Sequence, residues 1–328
     1  MSSDGSSQPT VPPNQPIHVL WTGSTLYNPY AFDDPPRPRD RYWLHILLLL
    51  LTLGTTSIVG AGLSADFAAN LPPRFAGFEG YVRVWHHPAY LLGGLPFSLT
   101  LLFILMCHEM GHYITSRIYR VDATLPFFLP APTLIGTMGA FIRIRSSVPT
   151  KRAMFDIGIA GPIAGFIALI PALAIGVAMS KVIPGIANQG DLIFGTPLIL
   201  RTFERLIFPG VAADNIYLHP VARAAWAGLL ATALNLLPIG QLDGGHILYT
   251  IVGARLSKVL SYIFIAALIP LGIFFAYSWL VWAALLFFIA RRHPVIYDDR
   301  PLDPTRRWLA LVALAILILS FTASPVKT

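Results

Sequence analysis

Apolar runs close to the thickness of a lipid bilayer constrain this chain more than any other feature. The first follows Arg41 and covers about residues 43–62; a helix rising roughly 1.5 Å per residue carries such a run across the ~30 Å hydrocarbon core of a membrane. Others cover about residues 91–118, 155–180, 220–237, 259–277, 279–290 and 308–322. In lipid, backbone polar groups must be bonded within their own segment, so runs of this kind fold as helices. Seven runs predict seven transmembrane helices. Six is the alternative, because the sixth run is short and only Tyr277-Ser278 separates it from the fifth. Of 328 residues 55% are hydrophobic and 12% charged, against about 25% charged in a soluble domain. A water-soluble globule is not expected, and the expected fold class is an all-α polytopic membrane protein.

Charge position supplies a topology. Residues 1–40 are rich in Ser, Pro, Asn and Asp and read as a flexible cytoplasmic tail, not a signal peptide. With that tail inside and the runs alternating, 16 Lys and Arg fall inside and 7 outside, as the positive-inside rule requires. The net charge of +7 then reflects membrane orientation, and nucleic acid is not an expected partner. Cys107 is the one cysteine, which rules out an intramolecular disulfide and a Cys-rich zinc module, so a metal site must draw on His and carboxylates.

Two connecting stretches stand out. Residues 124–145 carry Pro126, Pro130, Pro132, Gly136 and Gly139 and then alternate Phe141, Arg143 and Arg145 with Ala140, Ile142 and Ile144. This predicts a short strand or hairpin at the cytoplasmic face, dipping into the membrane. Residues 181–219, outside, are too few for a substantial inserted domain.

Chemistry concentrates in Cys107-His108-Glu109-Met110-Gly111-His112, near the end of the second run. Residues four apart share a helix face, so His108 and His112 can reach one zinc ion while Glu109 lies beside its bound water. Zinc lowers the pKa of that water toward about 7, and a carboxylate takes the proton. The bland reading is a chance match or polar packing in a helix bundle, but ionisable groups inside a span are costly and mark function. A catalytic zinc needs a third protein ligand. Asp243, in Asn235-Leu236-Leu237-Pro238-Ile239-Gly240-Gln241-Leu242-Asp243-Gly244, follows the fourth run on the same side and is the first candidate; its rival reading is a helix N-cap. His246 and Asp156 rank below it. Gly161 and Gly165 have the spacing for close helix packing. Cys107 points away from the ligand face.

His108-Glu109-x-x-His112 in a membrane helix, followed by Asn235-x-x-Pro238 and Leu242-Asp243-Gly244, resembles the site-2 protease family of intramembrane zinc metalloproteases, and the likeness runs from about residue 91 to 249. The resemblance implies a three-helix catalytic core formed by the second, third and fourth spans, with Zn2+ held by His108, His112 and Asp243. It implies Glu109 as general base, Asn235 holding the substrate backbone or the oxyanion, and residues 124–145 as a membrane re-entrant β-hairpin. The expected organisation is a tail over 1–40, a first span and external loop over 41–90, a protease core over 91–250 and C-terminal spans over 251–328. The chain is expected to lack room for the PDZ or CBS domains of some relatives.

The expected partners are the bilayer and membrane-spanning protein substrates, cleaved in regulated intramembrane proteolysis through a site that opens to the cytoplasm. The sequence leaves oligomeric state open. The alternative is a membrane metal transporter or metal-binding protein using the same His/Asp cluster; a relative lacking activity is disfavoured by the presence of Glu109.

Overall fold

The computed structural model describes residues 41–74, 77, 79–186, 189–190, 193–290 and 301–327. The tail expected over residues 1–40, and Arg37, Arg39, Arg291, Arg292 and Arg300 of the charge tally, lie outside the described residues. The chain is mostly helical. In order come α1 (Tyr42–Ala69), α2 (Glu79–His86), a 3-10 turn (Pro88–Gly94), α3 (Leu95–Ile118), β1 (Phe127–Pro130), β2 (Thr137–Phe141) and α4 (Lys151–Ala178). Then follow β3 (Lys181–Val182), β4 (Ile193–Phe194), α5 (Leu198–Ile207), β5 (Ile216–Tyr217), α6 (Pro220–Asn235) and α7 (Asp243–Val252). The last elements are α8 (Ala254–Phe274), α9 (Ser278–Ile289), α10 (Pro304–Ser320) and β6 (Val326–Lys327).

Among the described residues four helices are long and apolar enough to cross a membrane: Tyr42–Ala69, Pro88–Ile118, Lys151–Ala178 and Ala254–Phe274. The other three apolar runs are also helical but shorter, with 16 residues in α6, 12 in α9 and 17 in α10. Several polar groups of the longest helices are bonded within their own helix. In α1 the hydroxyls of Thr52 and Thr56 donate to carbonyls one turn back, and Asn70, in the left-handed conformation at φ 54°, ends the helix by donating to Asp66 and Phe67.

The centre is a packed group of α3, α4 and α6. Leu101, Ile104 and Leu105 from α3 meet Leu169 and Leu173 from α4 and Ala225 and Leu229 from α6, all buried. Lipid tails are as apolar as leucine, so close van der Waals fit must hold such helices together. The fit depends on small residues: a Cβ on Gly111 would stand 2.5 Å from the carbonyl oxygen of Ala160. Outside this group α8 packs on α9, and α10 lies against α4 and α6.

β1 and β2 form an antiparallel hairpin with Phe127 opposite Phe141 and Pro130 opposite Thr137. The regular strand begins and ends earlier than the alternating stretch of the sequence, which continues only as a single bridge between Ala123 and Ile144. The hairpin lies lengthwise along α1. At its base the carbonyl of Pro126 is 3.1 Å from His45 Nδ1, and the His45 ring stacks on Phe127. At its tip Thr55 donates its hydroxyl to the carbonyl of Gly136 at 2.6 Å. Ten residues of α1 separate these anchors, about 15 Å of helix. Between α4 and α6 the short strand β3 pairs with β5 and β4 with the distant β6, and α5 is amphipathic.

Candidate metal centre

His108 and His112 sit one turn apart on α3, 4% and 7% exposed, and turn the same face inward. Asp243 arrives from far along the chain. After α6 ends, Pro238 and Gly240, with φ +53°, reverse the chain so that α7 starts against the end of α6. A Cβ on Gly244 would stand 2.0 Å from the carbonyl oxygen of Leu236, and one on Gly245 would stand 2.3 Å from that of Gly240. The glycines after Asp243 therefore permit the contact that brings its carboxylate to α3.

The three side chains converge. Asp243 Oδ2 is 3.2 Å from His108 Nε2 and 3.2 Å from His112 Nε2, and the two nitrogens are 3.2 Å apart. Tetrahedral zinc with bonds of about 2.0–2.1 Å has ligand-to-ligand edges of about 3.3 Å, so this nearly equilateral triangle has the size of one tetrahedral face. Donor chemistry agrees. His112 Nδ1 faces the carbonyl oxygen of Ile157 at 2.7 Å and donates to it, which leaves the Nε2 lone pair for a cation. The two imidazoles and the carboxylate thus fit a divalent metal ion, and among the described residues this is the His/Cys/Asp/Glu group close enough to hold one.

Helix α4 is shaped to this pair. A Cβ on Gly161 would fall 2.0 Å from His112 Nε2, and one on Gly165 would fall 3.0 Å from the Cβ of His108. Two glycines four residues apart make room for two histidines four residues apart on a neighbouring antiparallel helix. The sequence carried this signal, yet it read as general packing. The Ile157 carbonyl had no signal, since any residue type supplies one.

Glu109 is 5% exposed and accepts a hydrogen bond from the backbone of Ile142, just past β2. Asn235, the last residue of α6, holds Nδ2 3.3 Å from His108 Nε2. Both line a cavity of about 330 Å³ between α6 and residues 133–140 of the hairpin, with His108 in its wall. The rivals stand elsewhere. Asp156 is gripped by Arg306, whose Nε donates to Oδ1 at 2.8 Å, and it accepts from the Tyr119 hydroxyl. Asp243 is not the N-cap of α7, which begins at Asp243 itself with Leu242 as its N-cap. His246 is not in the converging group.

Residues 96–279, more than half of the chain, match the profile of peptidase family M50. Over 229 residues the chain is 32% identical to the probable zinc metalloprotease EGY1, chloroplastic, of Oryza sativa subsp. japonica, covering 65% of this chain and 38% of that protein. Over 306 residues it is 29% identical to the protein of the same description from Arabidopsis thaliana, covering 87% of this chain and 53% of the relative. Against probable zinc metalloprotease EGY2, chloroplastic, of Arabidopsis thaliana it is 29% identical over 70% of this chain and 41% of the relative. The chain therefore spans about half or less of the length of these curated relatives. The match takes in both sequence stretches that supply the converging side chains, and this chain belongs to peptidase family M50, the site-2 protease family.

Proposed function

We propose that the chain is an intramembrane zinc metalloprotease that hydrolyses a peptide bond within or near a transmembrane segment of a protein substrate, in regulated intramembrane proteolysis. The observation that carries this reading is the 3.2 Å triangle of His108, His112 and Asp243 with Glu109 beside it on α3. Zinc held by these three side chains would polarise the scissile carbonyl and make water acidic enough to act as a nucleophile near neutral pH. The Glu109 carboxylate takes the proton from that water and passes it to the leaving amine. Asn235 Nδ2 donates to the substrate backbone or to the oxyanion as it forms.

A peptide bond in a helix is shielded by its own hydrogen bonds, so the substrate must be extended before it can be cut. The β1–β2 hairpin, reading as the re-entrant element, offers an edge on which an extended substrate can add as a strand. Its course along α1 from His45 to Thr55 supports that role. Residues 91–250 form the protease core in this reading, with 41–90 and 251–328 as flanking membrane segments. A seven-span topology is supported by the meeting of Tyr119 after α3, Asp156 early in α4 and Arg306 early in α10 at one level, and the excess of Lys and Arg on that side supports an opening toward the cytoplasm. A metal transporter would need further ligands along a path, and the described residues hold a single such cluster.

The test is Glu109→Gln in the full chain, reconstituted with a membrane-spanning substrate. The variant should bind zinc like the parent and lose cleavage by at least about a hundredfold; unchanged turnover would reject the assignment.

A further inference from the structure

The cavity at the metal centre has an outward continuation. Trp226, Leu230, Leu234 and Asn235 line it along α6. A second cavity, of about 250 Å³, takes up the same helix face at Trp226 and ends on Arg223. The two share Phe194, Trp226 and the hairpin turn at Thr133, Leu134 and Ile135 as walls. Arg223, Trp226, Leu230 and Leu234 follow the spacing of a single helix face. One trough therefore runs along α6 from Glu109 and Asn235 to Arg223, with the hairpin opposite.

Two cations line its outer part, and they differ. Arg74 is paired with Asp66 at 3.3 Å. Arg223 is half-buried; its Nε donates to the carbonyl of Leu218 at 3.2 Å, and its guanidinium lies over the rings of Phe194 at 5.2 Å and Tyr217 at 5.5 Å. Among the described residues no carboxylate forms an ion pair with it, and Asp66 acts on it only from farther away. A planar guanidinium held on two rings, with its terminal nitrogens unmatched by a carboxylate, is built for bidentate recognition of one.

We infer that Arg223 is a specificity determinant that receives a carboxylate of the substrate polypeptide, either a chain terminus or an acidic side chain, at the outer end of the bound segment. The inference rests on the protease reading and adds where along the substrate the charge must lie. Twelve residues of α6 from Arg223 to Asn235 span about 18 Å, which an extended chain at about 3.3 Å per residue covers in five to six residues. The carboxylate is thus read about five or six residues from the scissile bond, on the outer side. Continuity with the catalytic trough and with the hairpin favours a polypeptide over a lipid headgroup.

The experiment uses the full chain in detergent and matched membrane-spanning peptides. Six residues beyond the cut these carry a free C-terminal carboxylate, the terminal amide, an internal Glu, an internal Gln or an internal Lys. Carboxylate peptides should be cleaved with kcat/KM at least about tenfold above their amide or Gln counterparts. Preference for the terminal acid alone identifies a chain end, and preference for Glu alone identifies a side chain. Arg223→Gln should erase the difference, and Arg223→Glu should shift preference to the Lys peptide. Anisotropy with labelled peptides on the Glu109→Gln protein makes the same comparison without turnover. Equal binding and equal cleavage of acid and amide peptides by the parent protein overturns the inference and leaves the protease reading intact. Acid-selective binding without any Glu109-dependent cleavage overturns the protease reading instead.

Discussion

His112 Nδ1 stands 2.7 Å from the carbonyl oxygen of Ile157, so helix α4 sets the orientation of a ring that α3 supplies. The neighbouring Asp156 is tied to Arg306 of α10 and to Tyr119. A chain of contacts therefore reaches from neighbouring ends of three helices to a candidate ligand, and it exposes the site to changes well outside the His-Glu-x-x-His stretch.

Gly161→Ala tests the shape of α4. The new methyl would lie 2.0 Å from His112 Nε2, so the ring must leave its place. Zinc affinity, measured by competition with a chromophoric chelator, should fall roughly 10- to 100-fold while the thermal transition persists. Retained affinity would show that the imidazole does not need this position.

Arg306→Ala tests the tie between α10 and α4. It removes the guanidinium's bonds to Asp156 and Asp303 and leaves the half-buried Asp156 carboxylate with the Tyr119 hydroxyl but without its cation. Stability should drop by about 2 kcal/mol, with weaker zinc retention because Ile157 loses its anchor. Arg306→Lys should restore only part of this, since an ammonium cannot reproduce the forked contact. Thermal unfolding and chelator competition on the same preparations read both effects.

Gly136→Ala tests the hairpin. Its φ of +78° is a left-handed conformation, and a Cβ there would come 2.6 Å from the carbonyl oxygen of Thr55. The tip should lift from α1, raising KM for a membrane-spanning substrate while zinc affinity stays at the parent value. A parent-like KM would deny the hairpin its proposed part in substrate binding.

Removal of bound metal gives a further check. A chelator should abolish cleavage, and zinc should restore it in the parent; Asp243→Ala should resist restoration, since it deletes one corner of the 3.2 Å triangle. Full recovery of that variant would exclude Asp243 as a ligand.

Glu204, on the amphipathic α5 outside the long apolar helices, gives a pH signature. Burial pushes its carboxyl up to about 7, against an opposing pull from Arg201. The native state keeps this proton through a range in which the unfolded chain, ionising near 4.5, has released it. The contribution of Glu204 to stability is therefore greatest below pH ~4.5, declines as pH rises and levels off above ~7, a loss of up to about 3 kcal/mol. Glu204→Gln should flatten that slope in pH-dependent unfolding.

The pattern of apolar runs by itself determined that this chain is a helical membrane protein, because a backbone in lipid has almost no alternative to helix. The spacing of His108, Glu109 and His112 likewise determined which side chains share a face, since that follows from helix geometry alone. Only tertiary structure could decide what meets that face. Asp243 reaches it through a chain reversal whose glycines tolerate contacts no other residue would, and the role of Gly161 and Gly165 as sockets for two imidazoles depends on how α3 and α4 are registered. The same holds for the path of the hairpin along α1 and the continuity of the trough to Arg223. Local sequence encodes periodicity and turn chemistry, whereas these relations arise from the packing of segments far apart in the chain, where a carbonyl or an absent side chain matters as much as any recognisable motif.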